Sequence, residues 1–204
     1  MDTEAEVNIE SKVNEIFATT KVTQKLFNNF DNPIELEVYI FKYLDNIIFS
    51  SFYAKIGDST EAKSKVIKKE KAEEKYTDVI SSGNAAIYTP IDPKDENKII
   101  VHIGNIPPKQ ELVFKTEFIQ FTESSQNAYE FELFRNLPIL KGSKKGKEYK
   151  NKIIKGNVEI KTNSSIIKIE KKILLKYITI KEENHIQNQN IYNLKYEFVD
   201  MDPG

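Results

Sequence analysis

The sequence predicts an all-β fold, an antiparallel sandwich of about ten to twelve strands with one substantial helix packed on it. Three observations carry this reading. Apolar and polar residues alternate with a period of two through most of the 204 residues. Clusters of Asn, Asp, Gly and Pro punctuate these runs at fairly even spacing. The period changes to a helical one only between 64 and 82. Twelve Phe and ten Tyr supply bulky core material that a disordered chain would lack.

The elements follow in order. Val22, Gln24 and Leu26 alternate with Thr23, Lys25 and Phe27, and Ile34, Leu36, Val38 and Ile40 alternate with Glu35, Glu37, Tyr39 and Phe41. The turn formers at 28–33 between them predict that the two strands pair as an antiparallel hairpin. A third strand is expected over 47–56, ending at Gly57-Asp58. In the helix predicted over 64–82, Ala72, Tyr76, Val79 and Ile80 form a narrow apolar stripe. Gly83 follows where a left-handed cap residue is wanted. If the Tyr76 ring is buried, truncating it should cost about 3–5 kcal/mol. Short strands are expected at 85–88 and 98–103, with a loop at 90–93 between them and a turn at 104–108. Further strands are expected at 112–119 and 128–134. A Lys- and Gly-rich loop at 141–152 precedes the last strands at 153–161, 166–170, 173–181 and 191–199, which should complete the sheets. One domain over 1–204 is expected.

Composition excludes several functions. Thirty basic against 31 acidic residues leave a net charge of −1, which does not suit a dedicated nucleic-acid binder. With no Cys there is no disulfide framework, thiolate metal site or Cys nucleophile. Two His leave no His-rich metal site. No apolar run is long enough to span a membrane, and the acidic N-terminus lacks the features of a leader peptide, so a cytoplasmic location is expected. The stretch from Gly142 to Glu148 has three residues between its glycines, one short of a phosphate loop, and Glu148 would repel a phosphate. Lys144, Lys145 and Lys147 remain a possible basic contact patch for RNA or acidic lipid. His102 is expected on a strand and His185 in a polar loop after Glu182-Glu183-Asn184, neither with a local catalytic partner. Asn163-Ser164-Ser165 reads as an ordinary turn before a strand.

The ordered segments resemble one known family. Gln24, Asn28, Pro33, Glu35 and Tyr39 are followed by Gly57 and Asp58, then by Lys69, Glu70, Ala72 and Tyr76 with Gly83 after the helix. Gly104, Asn105 and Pro108 follow, and Pro138 closes the set. This order is similar to the vault protein inter-alpha-trypsin (VIT) domain over residues 20–140. The chain departs from the family pattern at Lys42, where Pro is common, and at Val79-Ile80-Ser81-Ser82, where Ala is preferred. No Asp-x-Ser-x-Ser segment of the von Willebrand A fold is present.

The resemblance implies a non-catalytic module for protein–protein interaction or scaffolding, within a larger assembly or a longer VIT–von Willebrand A protein. Its signature residues are then structural, and Gly83 and Gly104 should mark left-handed or tight backbone. No cofactor, metal or catalytic residue is expected, and the partner is a protein of unknown identity. Two other readings stay open: an enzyme, hydrolase or transferase, whose site is assembled only in space, and a lipid or nucleic-acid contact through 141–152.

Overall fold

The computed structural model describes residues 5–44, 46–58, 60–63, 69–89, 97–125, 128–134, 137–142, 151–163, 178–186 and 190–198. Among them are fifteen strands and one helix. The strands are β1 (Ala5–Asn14), β2 (Phe17–Phe27), β3 (Ile34–Phe41), β4 (Tyr43–Leu44), β5 (Ile47–Ile56) and β6 (Thr60–Lys63). The helix α1 (Lys69–Ser81) precedes β7 (Ala86–Tyr88), β8 (Lys98–Ile106), β9 (Glu111–Phe121), β10 (Glu123–Ser125) and β11 (Ala128–Glu130). The last are β12 (Ile139–Gly142), β13 (Asn151–Lys161), β14 (Thr179–Ile186) and β15 (Ile191–Phe198).

Two sheets face each other across one core. The larger has the order β14-β15-β13-β1-β2-β9-β5-β4, with β6 also on β5, and the smaller has the order β12-β3-β8-β7. All pairings are antiparallel except β1 with β13. β10 and β11 form a separate hairpin. The alternation works as a pleat requires. In β2, Ala18, Thr20, Val22, Gln24 and Leu26 point inward, and in β9 Leu112, Phe114, Thr116, Phe118 and Gln120 do. Leu36, Val38, Ile40, Val101 and Ile103 of the smaller sheet complete the core from the other side.

Residues 131–134 and 137–138 pack against the core side of the larger sheet. Phe134 packs on Phe118 with ring centroids 4.7 Å apart. Gln120 Nε2 donates to the Glu132 carbonyl at 2.9 Å and Gln24 Nε2 to the Pro138 carbonyl at 3.0 Å. The buried glutamines of the larger sheet thus tie down an irregular strip whose backbone needs partners.

Several expectations need correction. The segment 28–33 does not close a hairpin: β2 lies in the larger sheet beside β1 and β9, and β3 lies in the smaller one. Both strands bury one apolar face, and placing those faces opposite each other across the core satisfies both. The strand 98–103 runs on to Ile106, so the turn is 107–110. Gly104 is part of β8 without left-handed dihedrals, and Asn105 has the positive φ, 51°. In 128–134 only Ala128–Glu130 is strand. The ends of the 141–152 loop belong to β12 and β13, and its centre, with Lys144, Lys145 and Lys147, lies outside the described residues. So do the loop 90–93, the strand 166–170 and the start of 173–181. The polar loop around His185 is β14, at one end of the larger sheet and exposed along most of its length. An edge strand needs no apolar alternation. Finally, β1 was not expected, yet its pattern alternates strictly and buries Ala5, Val7, Ile9, Ser11 and Val13.

Candidate functional site

Helix α1 is fixed to the outside of the smaller sheet. It ends in two backbone bonds, Gly83 N to Ile80 O at 2.9 Å and Asn84 N to Val79 O at 3.1 Å. With Gly83 at φ 77°, this is a Schellman closure. Asn105 Nδ2 donates to the carbonyls of Ile80 at 2.9 Å and Asn84 at 3.2 Å, pinning the helix end to β8. Gly104 lies beneath the helix: a Cβ there would collide with Ile80 Cδ1 and come within 2.7 Å of Tyr76 Oη. Its role is close approach rather than a left-handed backbone, the first of the two alternatives expected for it. Of the predicted stripe, Tyr76 and Ile80 face the sheet, and Val79 is exposed. The side chains of Lys69, Glu70 and Ala72 are outside the description.

Beside this helix a polar and aromatic row crosses all four strands. The register sets Lys141 opposite Glu37, Glu37 opposite His102, and His102 opposite Tyr88. His102 Nδ1 lies 3.5 Å from Glu37 Oε1. Tyr88 stacks on His102 at 6.1 Å and meets Tyr76 at 5.6 Å, and its hydroxyl donates to Glu73 Oε1 at 2.9 Å. The Tyr39 hydroxyl donates to Glu37 Oε2. That bond, with some desolvation and the carboxylate charge, pushes the Tyr39 phenol up to about 12. Lys98 and Lys141 place their ammonium groups 4.6 and 5.2 Å from the Tyr39 ring centroid. Burial, then the charges of Glu35 and Glu37, raises the pKa of Tyr76. The face therefore presents aromatic rings and both charge signs on a four-stranded sheet. The alternation of β3 showed Glu35, Glu37 and Tyr39 pointing outward. It did not show Tyr88, Lys98, His102 or Lys141 beside them, because register is a non-local property.

The remaining signature residues are joints. Asn28 Nδ2 donates to the carbonyls of Ile106 at 2.9 Å, Pro107 at 3.0 Å and Asn32 at 3.0 Å, and its Oδ1 accepts from Phe30 N. It clamps the crossover 28–33 to the turn that contains Pro107 and Pro108. Gly57 has φ 53°, and its amide donates to Glu111 O at 2.9 Å. Asp58 is exposed, 3.9 Å from Lys55, and Pro33 is exposed. On the outer face of the larger sheet an open trough of about 740 Å³ is lined by Lys25, Lys55, Lys115 and Lys155 with Glu6 and Glu10. Among the described residues no three of His, Asp and Glu come together as a metal-ligand set, and no helix is long and apolar enough to cross a membrane.

Residues 5–118, more than half of the chain, match the model of the vault protein inter-alpha-trypsin domain. The chain belongs to the VIT family. The matched region begins with β1, well before the resemblance expected from residue 20, and it ends inside β9 at Phe118. It therefore contains Asn28, Tyr39, Tyr76 and Gly104 but not Pro138. A von Willebrand factor A domain-containing protein of Dictyostelium discoideum is 30% identical over 132 residues, which is 63% of this VIT chain and 14% of that protein. A second of the same description is 29% identical over 107 residues, 52% of this chain and 11% of that protein. The chain thus spans a small fraction of these relatives. Among solved structures, native yeast LTA4 hydrolase aligns over 98% of this chain and 29% of its own, at 9% identity and a TM-score of 0.39. A cohesin from Archaeoglobus fulgidus aligns over 77% of this chain and 91% of its own, at 12% identity and a TM-score of 0.31. Likenesses this low carry no further argument.

Proposed function

We propose that the chain is a non-catalytic protein-interaction or scaffolding module, working in the cytoplasm within or beside a von Willebrand A-bearing polypeptide, with the outer face of the smaller sheet as its docking surface. One observation carries this reading: the row Lys141–Glu37–His102–Tyr88, continued by Tyr39 and Tyr76, lies on the face that α1 leaves partly open. Tyr and His flanked by charges suit the centre and rim of a protein interface. The Tyr39–Glu37 and Tyr88–Glu73 hydrogen bonds, the Glu37–His102 contact and the ring contacts hold these side chains in place before a partner arrives, so less ordering is needed on binding.

The test is affinity capture from native extract with the parent chain, Tyr39→Ala and Glu37→Lys compared side by side. A partner retained by the parent and lost by both variants, with all three chains folded, is the expected outcome. Identical capture by all three would remove this face from the reading. Turnover of a substrate by the purified chain would overturn the non-catalytic role.

A further inference from the structure

The outer face of the larger sheet changes character at one end. Elsewhere it is mainly Lys, Glu, Thr and Asn, with Phe27, Val113 and Tyr53 set among charged neighbours, but around the turn joining β1 to β2 apolar side chains lie side by side. Ile16 is 63% exposed, Phe17 38% and Phe121 50%. Phe17 is directly opposite Phe121 across the β2–β9 ladder, and Ile119, opposite both Thr19 and Ile48, extends the patch across β9 to β5. A contiguous apolar patch on a solvent-facing sheet marks an interaction site.

We infer that this patch is a self-association surface whose occupant is a second copy of the chain. The argument is complementarity across the β2–β9 boundary. Two directly opposed pairs straddle that line, Phe17 with Phe121 and Lys21 with Glu117. A twofold axis laid along the boundary, with the two sheets face to face, exchanges the positions of β2 and β9. It puts Phe17 on the second copy's Phe121, and Lys21 on the second copy's Glu117, twice over. An isologous contact needs a surface of this kind, one that complements itself. The neighbouring charge in the same row is Glu10, opposite Lys21, so the rim mixes both signs. The chain's net charge of −1 sets up little repulsion between copies. The surface is separate from the face proposed for the partner, since it lies on the other sheet.

The experiment is sedimentation equilibrium of the full chain from about 1 µM to about 1 mM. The parent should show a monomer–dimer equilibrium. Lys21→Glu and Glu117→Lys each create two like-charge contacts in a homodimer and should weaken association at least about tenfold. Mixing the two variants in equal amounts should restore it. In the heterodimer one contact pairs the two introduced charges, which are of opposite sign, and the other keeps Lys21 against Glu117. Within each variant chain positions 21 and 117 still carry like charges in the mixture, so recovery reports the contact between copies. Phe121→Ser should abolish dimerisation while thermal unfolding stays cooperative. A parent that is monomeric across the whole range, or variants that associate like the parent, would overturn the inference, as would a mixture no stronger than its components.

Discussion

At the scale of single residues, a side chain in this molecule matters when it completes bonds that the backbone cannot make alone. Asn28 is fully buried, and its amide reaches the carbonyls of Ile106 at the end of β8, Pro107 in the turn after it and Asn32 in the crossover. An alanine there leaves those acceptors and the Phe30 amide without their partner. Asn28→Ala is expected to cost about 2–4 kcal/mol in urea unfolding. Asp would keep the acceptor for Phe30 N but repel the carbonyls, so Asn28→Asp should be no better. Tyr39 illustrates the opposite case, a surface residue with a chemical signature. Its folded pKa, about 12, lies above the ordinary phenol value near 10 because deprotonation would set a phenolate against Glu37. The folded chain therefore holds the proton more tightly than the unfolded chain. That contribution to stability is intact below about pH 10 and is lost as the pH rises through about 12. Relative to Tyr39→Phe, the parent should lose unfolding free energy across this window, measured by urea melts at stepped pH. A constant difference between the two chains would show that the Glu37 bond does not form.

At the scale of elements, α1 tests how far pattern reasoning reaches. The helix and its glycine cap were legible, because charged residues at helical spacing ending in Gly83 admit few other readings. Its contact face was only half legible: Val79 and Ile80 are adjacent, and the stripe could not say which one touches the sheet. Gly104 answers this, since the space that its missing Cβ leaves is taken by Ile80 and Tyr76. Gly104→Ala should push the helix off the sheet and cost about 1–3 kcal/mol. Gly83→Ala meets no atom within 4 Å and should cost about 1 kcal/mol, from its positive φ alone. Ile80→Ala should destabilise by about 1–3 kcal/mol, whereas Val79→Ser should stay within about 0.5 kcal/mol. The reverse order in thermal melts would mean that the helix is rotated. Tyr76 is only half-buried, so truncating it should cost less than a fully buried ring would, about 1–2 kcal/mol. The hairpin reading of 28–33 failed for a different reason. Turn formers of that length can fold a strand back onto its neighbour or carry it across to the facing sheet. The deciding bonds run from Asn28 to residues 106 and 107, 78 and 79 positions away.

At the scale of the whole molecule, β1 joins the early and late parts of the chain. It lies between β2, its antiparallel neighbour, and β13, its parallel one. Everything beyond β13 in that sheet is attached through it. Its signal was present in the sequence: Ala5, Val7, Ile9, Ser11 and Val13 alternate with Glu6, Asn8, Glu10, Lys12 and Asn14. The inward members include an alanine and a serine, and every outward member is polar or charged, so the stretch reads as polar. Ser11 is accommodated by a 2.9 Å bond to Thr20, directly opposite on β2. Starting the chain at Ile16 would therefore open two ladders at once and expose the inward faces of β2 and β13. Val7, Ile9 and Val13 are each worth about 1.5–3 kcal/mol when fully buried. Together they come to about 4.5–9 kcal/mol before the lost ladders are counted, which is comparable with the roughly 5–15 kcal/mol that typically holds a folded domain. The truncated chain should show no cooperative urea transition, and the unpaired edges of β2 and β13 should drive it to aggregate. Adding residues 1–15 back as a separate peptide should recover part of the transition in proportion to peptide concentration, since a strand binding only the folded sheet stabilises it by mass action. A truncated chain that still unfolds cooperatively near the parent midpoint would show that the sheet closes without β1.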